Sequence, residues 1–229
     1  MANFRFKVDN QEVLNYSAMT TATLNSPGTL RHLIPTSKGA NAKAIAISID
    51  VALVLGFALL TAALAQFSFT LSFTPVPITG QTLGVLLSGA ALGFKLGASS
   101  QILYLIMGAV GLPFYSEGAS GWDVLKGATG GYIVGFIFAS ALIGFLSEKG
   151  NDRHVSSAVG SFLLGSLVIY TFGALWLAHI LNIPVFEGPE SAMALGVVPF
   201  LFGDLLKALA AGLALPGSWK LISFLKKEK

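Results

Sequence analysis

The sequence predicts an all-α integral membrane protein of about six transmembrane helices, with both termini cytoplasmic, and three observations predict it. Only 11% of the 229 residues are charged and 54% are hydrophobic, with a mean hydropathy of +0.74. A domain that faces water carries about 25% charged residues, so most of this surface suits lipid. The apolar residues fall into six runs separated by glycine, proline or charge. Finally, with a cytoplasmic N-terminus, twelve of the fourteen basic residues lie inside, Lys126 alone lies outside and Lys207 sits within the sixth run. That asymmetry follows the positive-inside rule, and it survives leaving out the distant N-terminal residues.

Residues 1–43 are polar, rich in Asn, Ser and Thr, and interrupted by Pro27-Gly28 and Pro35. They read as a disordered cytoplasmic extension, and no apolar core near Met1 suggests a secretory signal. Residues 44–220 form the expected membrane domain, which binds the substrate. Ala44 to Phe69 is long enough to cross the hydrocarbon core. The stretch Phe73-Thr74-Pro75-Val76-Pro77-Ile78-Thr79-Gly80 ends it, because two prolines and a glycine cannot continue the ladder. Gln81–Phe94 and Ala98–Leu112 give two brief helices around a tight turn near Lys95, and a re-entrant hairpin is an alternative there. Gly130–Leu146, Val155–Leu181 and about Ala194 to Leu215 complete the six, and 221–229 is a basic cytoplasmic tail. Small residues four apart (Gly89, Gly93, Gly97; Gly131, Gly135, Ala139; Ala58, Ala62) predict close helix packing in lipid.

Several chemistries are excluded. There is no cysteine, hence no thiolate metal site, disulfide or cysteine nucleophile. His32, His154 and His179 are scattered and make no metal-ligand pattern. The net charge of +3 is explained by membrane orientation, so no nucleic-acid partner is expected. No GxxxxGK[ST] phosphate loop occurs, so energy for pumping must come from a partner or an ion gradient.

Two segments stand out as sites. Phe202-Gly203-Asp204-Leu205-Leu206-Lys207 places two ionisable groups three apart, on one helix face. Such groups cost about 2.5–3.5 kcal/mol each at membrane depth and so face a cavity or a partner. A polar-ligand site, a self-neutralising ion pair and a proton relay remain open on this evidence. The second segment, Gly111 to Tyr132, is a glycine-rich outside loop with Tyr115, Trp122 and Lys126, suited to close approach by a flat ligand.

The motifs Val76-Pro77-Ile78-Thr79-Gly80-Gln81-Thr82-Leu83-Gly84, Leu103-Tyr104, Gly108-Ala109-Val110-Gly111-Leu112-Pro113, Gly130-Gly131-Tyr132 and Gly203-Asp204-x-x-Lys207 resemble the BioY family, the biotin-binding S components of energy-coupling factor (ECF) transporters. The resemblance spans residues 44–220 in order. It implies a multi-pass cell-membrane protein, not an enzyme, that captures biotin from outside. It further implies a transmembrane T component and two ABC ATPase subunits as partners, lipid as surroundings, and no cofactor or metal. Ala58 and Ala62 have the Ala-x-x-x-Ala spacing by which S components dock on the T component.

For biotin, the resemblance assigns the ureido ring to Asp204 and Lys207, as acceptor and donor. Tyr132, Gly131 and the loop around Trp122 would cover the bicyclic ring, Gln81 would close one side, and Lys126 would meet the carboxylate. The family's Gly-Pro-Thr-Gly-Gly-Tyr is Gly127-Ala128-Thr129-Gly130-Gly131-Tyr132 here, a looser turn before Tyr132. The rival expectations are an S component for another vitamin, a proton-coupled carrier using Asp204, and a membrane-embedded enzyme.

Overall fold

The computed structural model describes residues 28–33 and 41–227. The remainder of the expected extension, and the end of the tail, lie outside the described residues. Six principal helices run Ala42–Ala65 (α1), Gln81–Leu92 (α2), Phe94–Ala109 (α3), Gly130–Glu148 (α4), Val155–Leu181 (α5) and Leu201–Lys227 (α6). Short helices, Trp122–Lys126 and Ala192–Gly196, stand in the connections before α4 and α6. By length and composition, four helices can each cross a bilayer, and Gln81–Leu92 is a shorter apolar one. Even so, α2 joins the two ends of the bundle. Gln81 at its start lines a cavity, while the N–H of Phe94, just past its end, donates to Glu148 Oε1 at the far end of α4 (2.9 Å). We call the cavity end upper and the other end lower.

The expected boundaries shift for local reasons. Helix α1 stops at Ala65 rather than Phe69, and Ser68–Phe69 pairs antiparallel with Ile78–Thr79 in a small hairpin. The Gln66 amide fixes this corner, donating to the carbonyls of Ala62, Pro113 and Tyr115 at 3.1, 3.3 and 3.2 Å. The α2–α3 turn is Gly93 alone, at φ +88°, not a loop at Lys95. Helix α5 ends on Asn182 in the left-handed conformation before Pro184, a common helix stop. The sixth helix begins at Leu201, seven residues later than expected from Ala194, because Pro199 falls in a separate turn, Val198–Phe200. It then continues through Pro216 to Lys227, so the described part of the basic tail is helical.

The glycine rows serve packing. A Cβ on Gly89 would meet the Ser140 carbonyl at 2.4 Å, and one on Gly135 would meet Phe172 Cβ at 3.1 Å, so α2 and α5 each lie close to α4. A buried polar knot adds to this. Gln101 donates its amide to Thr61, Ser88 and Ser100 hydroxyls at 3.2, 2.9 and 3.2 Å, and Ser88 meets Ser140 at 3.0 Å. Away from water, such bonds fix the mutual register of α1, α2, α3 and α4.

Helix α1 is the least embedded. Its only buried residues are Ala58, Thr61, Ala62 and Ala65, all in its upper half. This corrects the expectation that Ala58 and Ala62 form a docking surface: they are 0% and 7% exposed and belong to the chain's own core. The small residues that the lower part of α1 turns outward include Ala44, Ser48, Ala52 and Gly56.

Candidate functional site

The upper end of the bundle holds a cavity that opens at its mouth. The hairpin contributes Val76, Pro77 and Thr79, and α2 contributes Gln81. Tyr115 and Ser116 come from the α3–α4 connection, and Thr129, Tyr132, Ile133 and Phe136 from the start of α4. Tyr170 enters from α5, Phe200 from the turn before α6, and Asp204 and Lys207 from α6. Aromatic and aliphatic walls with a few converging polar groups suit a small organic ligand.

Asp204 is the polar centre. It is 5% exposed, and both oxygens are engaged: Oδ1 accepts from Lys207 Nζ at 2.7 Å and Thr82 Oγ1 at 2.9 Å, and Oδ2 accepts from Tyr170 Oη at 2.6 Å. Lys207 also donates to the Thr79 carbonyl at 2.5 Å and to Thr82 Oγ1 at 2.9 Å. The one-turn spacing on α6 puts carboxylate and ammonium together, and α2, α5 and the hairpin supply the remaining partners. A neutral pair with its hydrogen bonds met is the form in which charges persist at low dielectric. Among the described residues lining the cavity, Lys207 is the only cation.

Gln81 is oriented from both sides: its amide donates to the Tyr104 hydroxyl, and its Oε1 accepts from Thr79 Oγ1 at 2.8 Å. Tyr132 presents its ring to the cavity and sends its hydroxyl to the Gly196 carbonyl at 2.7 Å. The tyrosine fits because Gly173 and Gly196 lack side chains; a Cβ would lie 2.2 Å from the ring at Gly173 and 2.2 Å from the hydroxyl at Gly196. Tyr115, in the connection, donates to the Leu105 carbonyl at 2.7 Å. Burial pushes its phenol up to about 12, so it stays a donor at any physiological pH.

Four expected residues, Asp204, Lys207, Tyr132 and Gln81, are thus brought to one cavity. The others are not. Gly131 faces α5, where a Cβ would strike Trp176 Cβ at 2.3 Å and the Phe172 carbonyl at 2.5 Å, so its role is helix packing. Lys126 is exposed on the short helix and absent from the cavity wall, and Trp122 is 61% exposed. The sequence reading missed Tyr170, although a phenol inside an apolar run needs a polar partner. It also passed over Thr82, which lies within a quoted motif.

Comparison with known proteins agrees with this architecture. A profile of the BioY family matches residues 36–224. The chain is 40% identical over 162 residues to a probable biotin transporter BioY of Pyrococcus horikoshii, covering 71% of this chain and 91% of that one. It is 34% identical over 172 residues to the biotin transporter BioY of Rhizobium etli, covering 72% and 89%. A crystal structure of the S-component for biotin from an ECF-type ABC transporter superposes with a TM-score of 0.69 at 25% identity, covering 80% of this chain and 95% of that one. With its membrane helices, its cavity and a match over most of its length, the chain belongs to the BioY family.

Proposed function

We propose that this chain captures biotin in the upper cavity and acts as the substrate-binding component of an ECF-type transporter. The observation that carries the reading is the Asp204–Lys207 centre, set among aromatic and aliphatic walls with a few neutral polar groups. Biotin has a ureido group with two N–H donors and a carbonyl acceptor, an apolar thiophane ring and a valerate carboxylate. A carboxylate offers about four acceptor sites, and three on Asp204 are taken by Lys207, Thr82 and Tyr170. One remains for a ureido N–H. The three donors of Lys207 meet Thr79, Thr82 and Asp204, so donation to the ureido carbonyl exchanges one protein acceptor for a ligand one. Phe136, Phe200 and the Tyr132 ring flank the thiophane. The carboxylate then points to the mouth past Ser116 and Thr129, where the start of α4 favours an anion.

The basic residues of the sequence favour an extracellular upper end and a cytoplasmic lower end. Hydrolysis of ATP falls to two ABC ATPase subunits, joined through a transmembrane T component. The T component is expected to pack on the outward face of α1, where Ala44, Ser48, Ala52 and Gly56 are exposed in successive turns and a close helix approach is possible.

The test is equilibrium binding of biotin to the purified protein, with Asp204→Asn alongside. The expected result is one-to-one binding that the substitution weakens at least tenfold, about 1.4 kcal/mol. A folded native protein that ignores biotin would overturn the ligand. Equal binding by both would retain the ligand and overturn the site.

A further inference from the structure

We propose that residues 28–33 are a strap that holds the lower half of α1 against the bundle and sets its angle. The segment lies outside the family match, which begins at residue 36. It is nevertheless built in. Thr29 is 0% exposed, and Leu30, in the short helix Leu30–Leu33, packs on the lower core around Leu86 and Ile143.

Its two sides are fastened to different parts of the molecule. On one side, the Arg31 guanidinium pairs with Asp50 of α1. On the other, Arg153 of the α4–α5 connection donates to the Gly28 carbonyl at 3.3 Å. Arg153 in turn lies over the Trp219 ring of α6, 4.7 Å from its centroid. The strap therefore joins the first helix to the fourth, fifth and sixth at the lower end.

The strap matters because of what α1 lacks. None of its residues from Ala42 to Phe57 is fully buried, and residues such as Ile49, Leu53, Val54 and Phe57 are only half-buried, so apolar packing holds that half less firmly than the upper one. Asp50 and Arg31, with His32, Phe94, Lys95 and Glu148, line a cleft between lower α1 and the α2–α3 turn. The Arg31–Asp50 pair spans that cleft. Of the other charged groups there, Glu148 is already committed to the Phe94 N–H. Removing the pair frees α1 to swing about its packed upper half, where Ala58, Thr61, Ala62 and Ala65 act as the pivot. The hold on α1 requires neither the ligand nor the partner reading; only its use, presenting α1 to a T component at a set angle, rests on the proposed function.

The chain has no cysteine, so two introduced cysteines can be spin-labelled cleanly. Ile47→Cys, 53% exposed on lower α1, and Ser156→Cys, exposed at the start of α5, report the separation by double electron–electron resonance in lipid nanodiscs. The protein carrying Arg31 should give one narrow distance. Arg31→Glu, which sets like charges against each other, should add a second, broader population, and Arg31→Ala should do so to a lesser degree. Restoring an opposite pair with Arg31→Glu/Asp50→Lys should recover the narrow distance. Monodisperse elution and unchanged helix content establish that each variant is folded. Superimposable distributions for Arg31→Glu, Arg31→Ala and the native residue would overturn the strap, as would failure of the charge exchange to restore the native distance.

Discussion

Lys207→Met removes the counter-charge of Asp204 while keeping the length of the side chain. Asp204 is left 5% exposed, without the ammonium 2.7 Å away and with only Thr82 and Tyr170 as donors. Taking away one partner of a buried pair costs about 3–5 kcal/mol. The lower part of that range applies, because the lysine side chain is 19% exposed and the two remaining donors still support the carboxylate. Asp204→Asn/Lys207→Met removes both charges, so no uncompensated ion is left. Its loss of stability should fall short of the sum of the single losses by about 2 kcal/mol, within the range found for coupled neighbours.

Equilibrium unfolding in mixed detergent micelles measures this cycle, and biotin titration of the same four proteins measures function. Stability and binding should part company. The neutral pair recovers most of the stability, yet binds biotin at least a hundredfold more weakly, since two contacts to charged groups of about 1.5–3 kcal/mol each are gone. Additive stability losses would refute the buried ion pair as an energetic unit. Native-like binding by the double variant would refute the placement of the ureido group.

Three further expectations follow from other parts of the molecule. Tyr170→Phe deletes the 2.6 Å bond to Asp204 Oδ2 without changing the cavity shape, and should weaken biotin binding about tenfold in the same titration, toward the lower end of the value of a bond to a charged acceptor; unchanged affinity would remove Tyr170 from the site. Gly56→Leu adds a side chain where a Cβ meets nothing within 4 Å, so biotin affinity should stay within about twofold while co-purification with the T component drops; undiminished co-purification would move the docking face elsewhere. Asp152, 2% exposed at the lower end, accepts from Trp219 Nε1 at 2.6 Å, and burial raises its pKa. A raised folded-state value means stability present below the unfolded pKa of about 3.9 is lost as pH rises through the folded value. Asp152→Asn, which can still accept from Trp219, should therefore raise the melting temperature at neutral pH, with the gap closing as the pH approaches the unfolded value; a gap independent of pH would contradict this.

The parts legible in the sequence share one property: their signal is local. Asp204 and Lys207 show themselves because ionisable groups in an apolar run need a reason, and a spacing of three gives them a common face. The six helices show themselves through runs and breakers. What escapes is whatever depends on which face a helix turns inward. Ala58 and Ala62 have the same spacing as Ala52 and Gly56, but Ala58 and Gly56 stand about 200° apart around α1. One row is core and the other is surface, and spacing alone cannot tell them apart. Tyr170 escapes for a related reason, since its partner is 34 positions away and α5 reads as uniformly apolar. Lys126 illustrates the opposite error: a basic residue in a glycine-rich loop looks available to an anion, but the short helix Trp122–Lys126 leaves it exposed and off the cavity wall.

Helix α6 is the element through which the two ends of the molecule can be linked. Asp204 and Lys207 lie near its upper end. Trp219 lies toward its lower end, 8% exposed, bonded to Asp152 and covered by Arg153. Between Lys207 and Trp219 run eleven residues of continuous helix containing Pro216. A ligand that changes the partners of Lys207 alters what holds the upper end of α6, above all the bond to the Thr79 carbonyl of the hairpin. It can move the lower end only if the two arrangements of α6 differ in their affinity for that ligand. The lower contacts supply the other side of this coupling, because Arg153 touches both α6 and the strap that fastens α1. Reciprocity then requires that releasing the Arg31–Asp50 pair changes biotin affinity to the degree that biotin shifts the distance distribution of α1, and to no other degree.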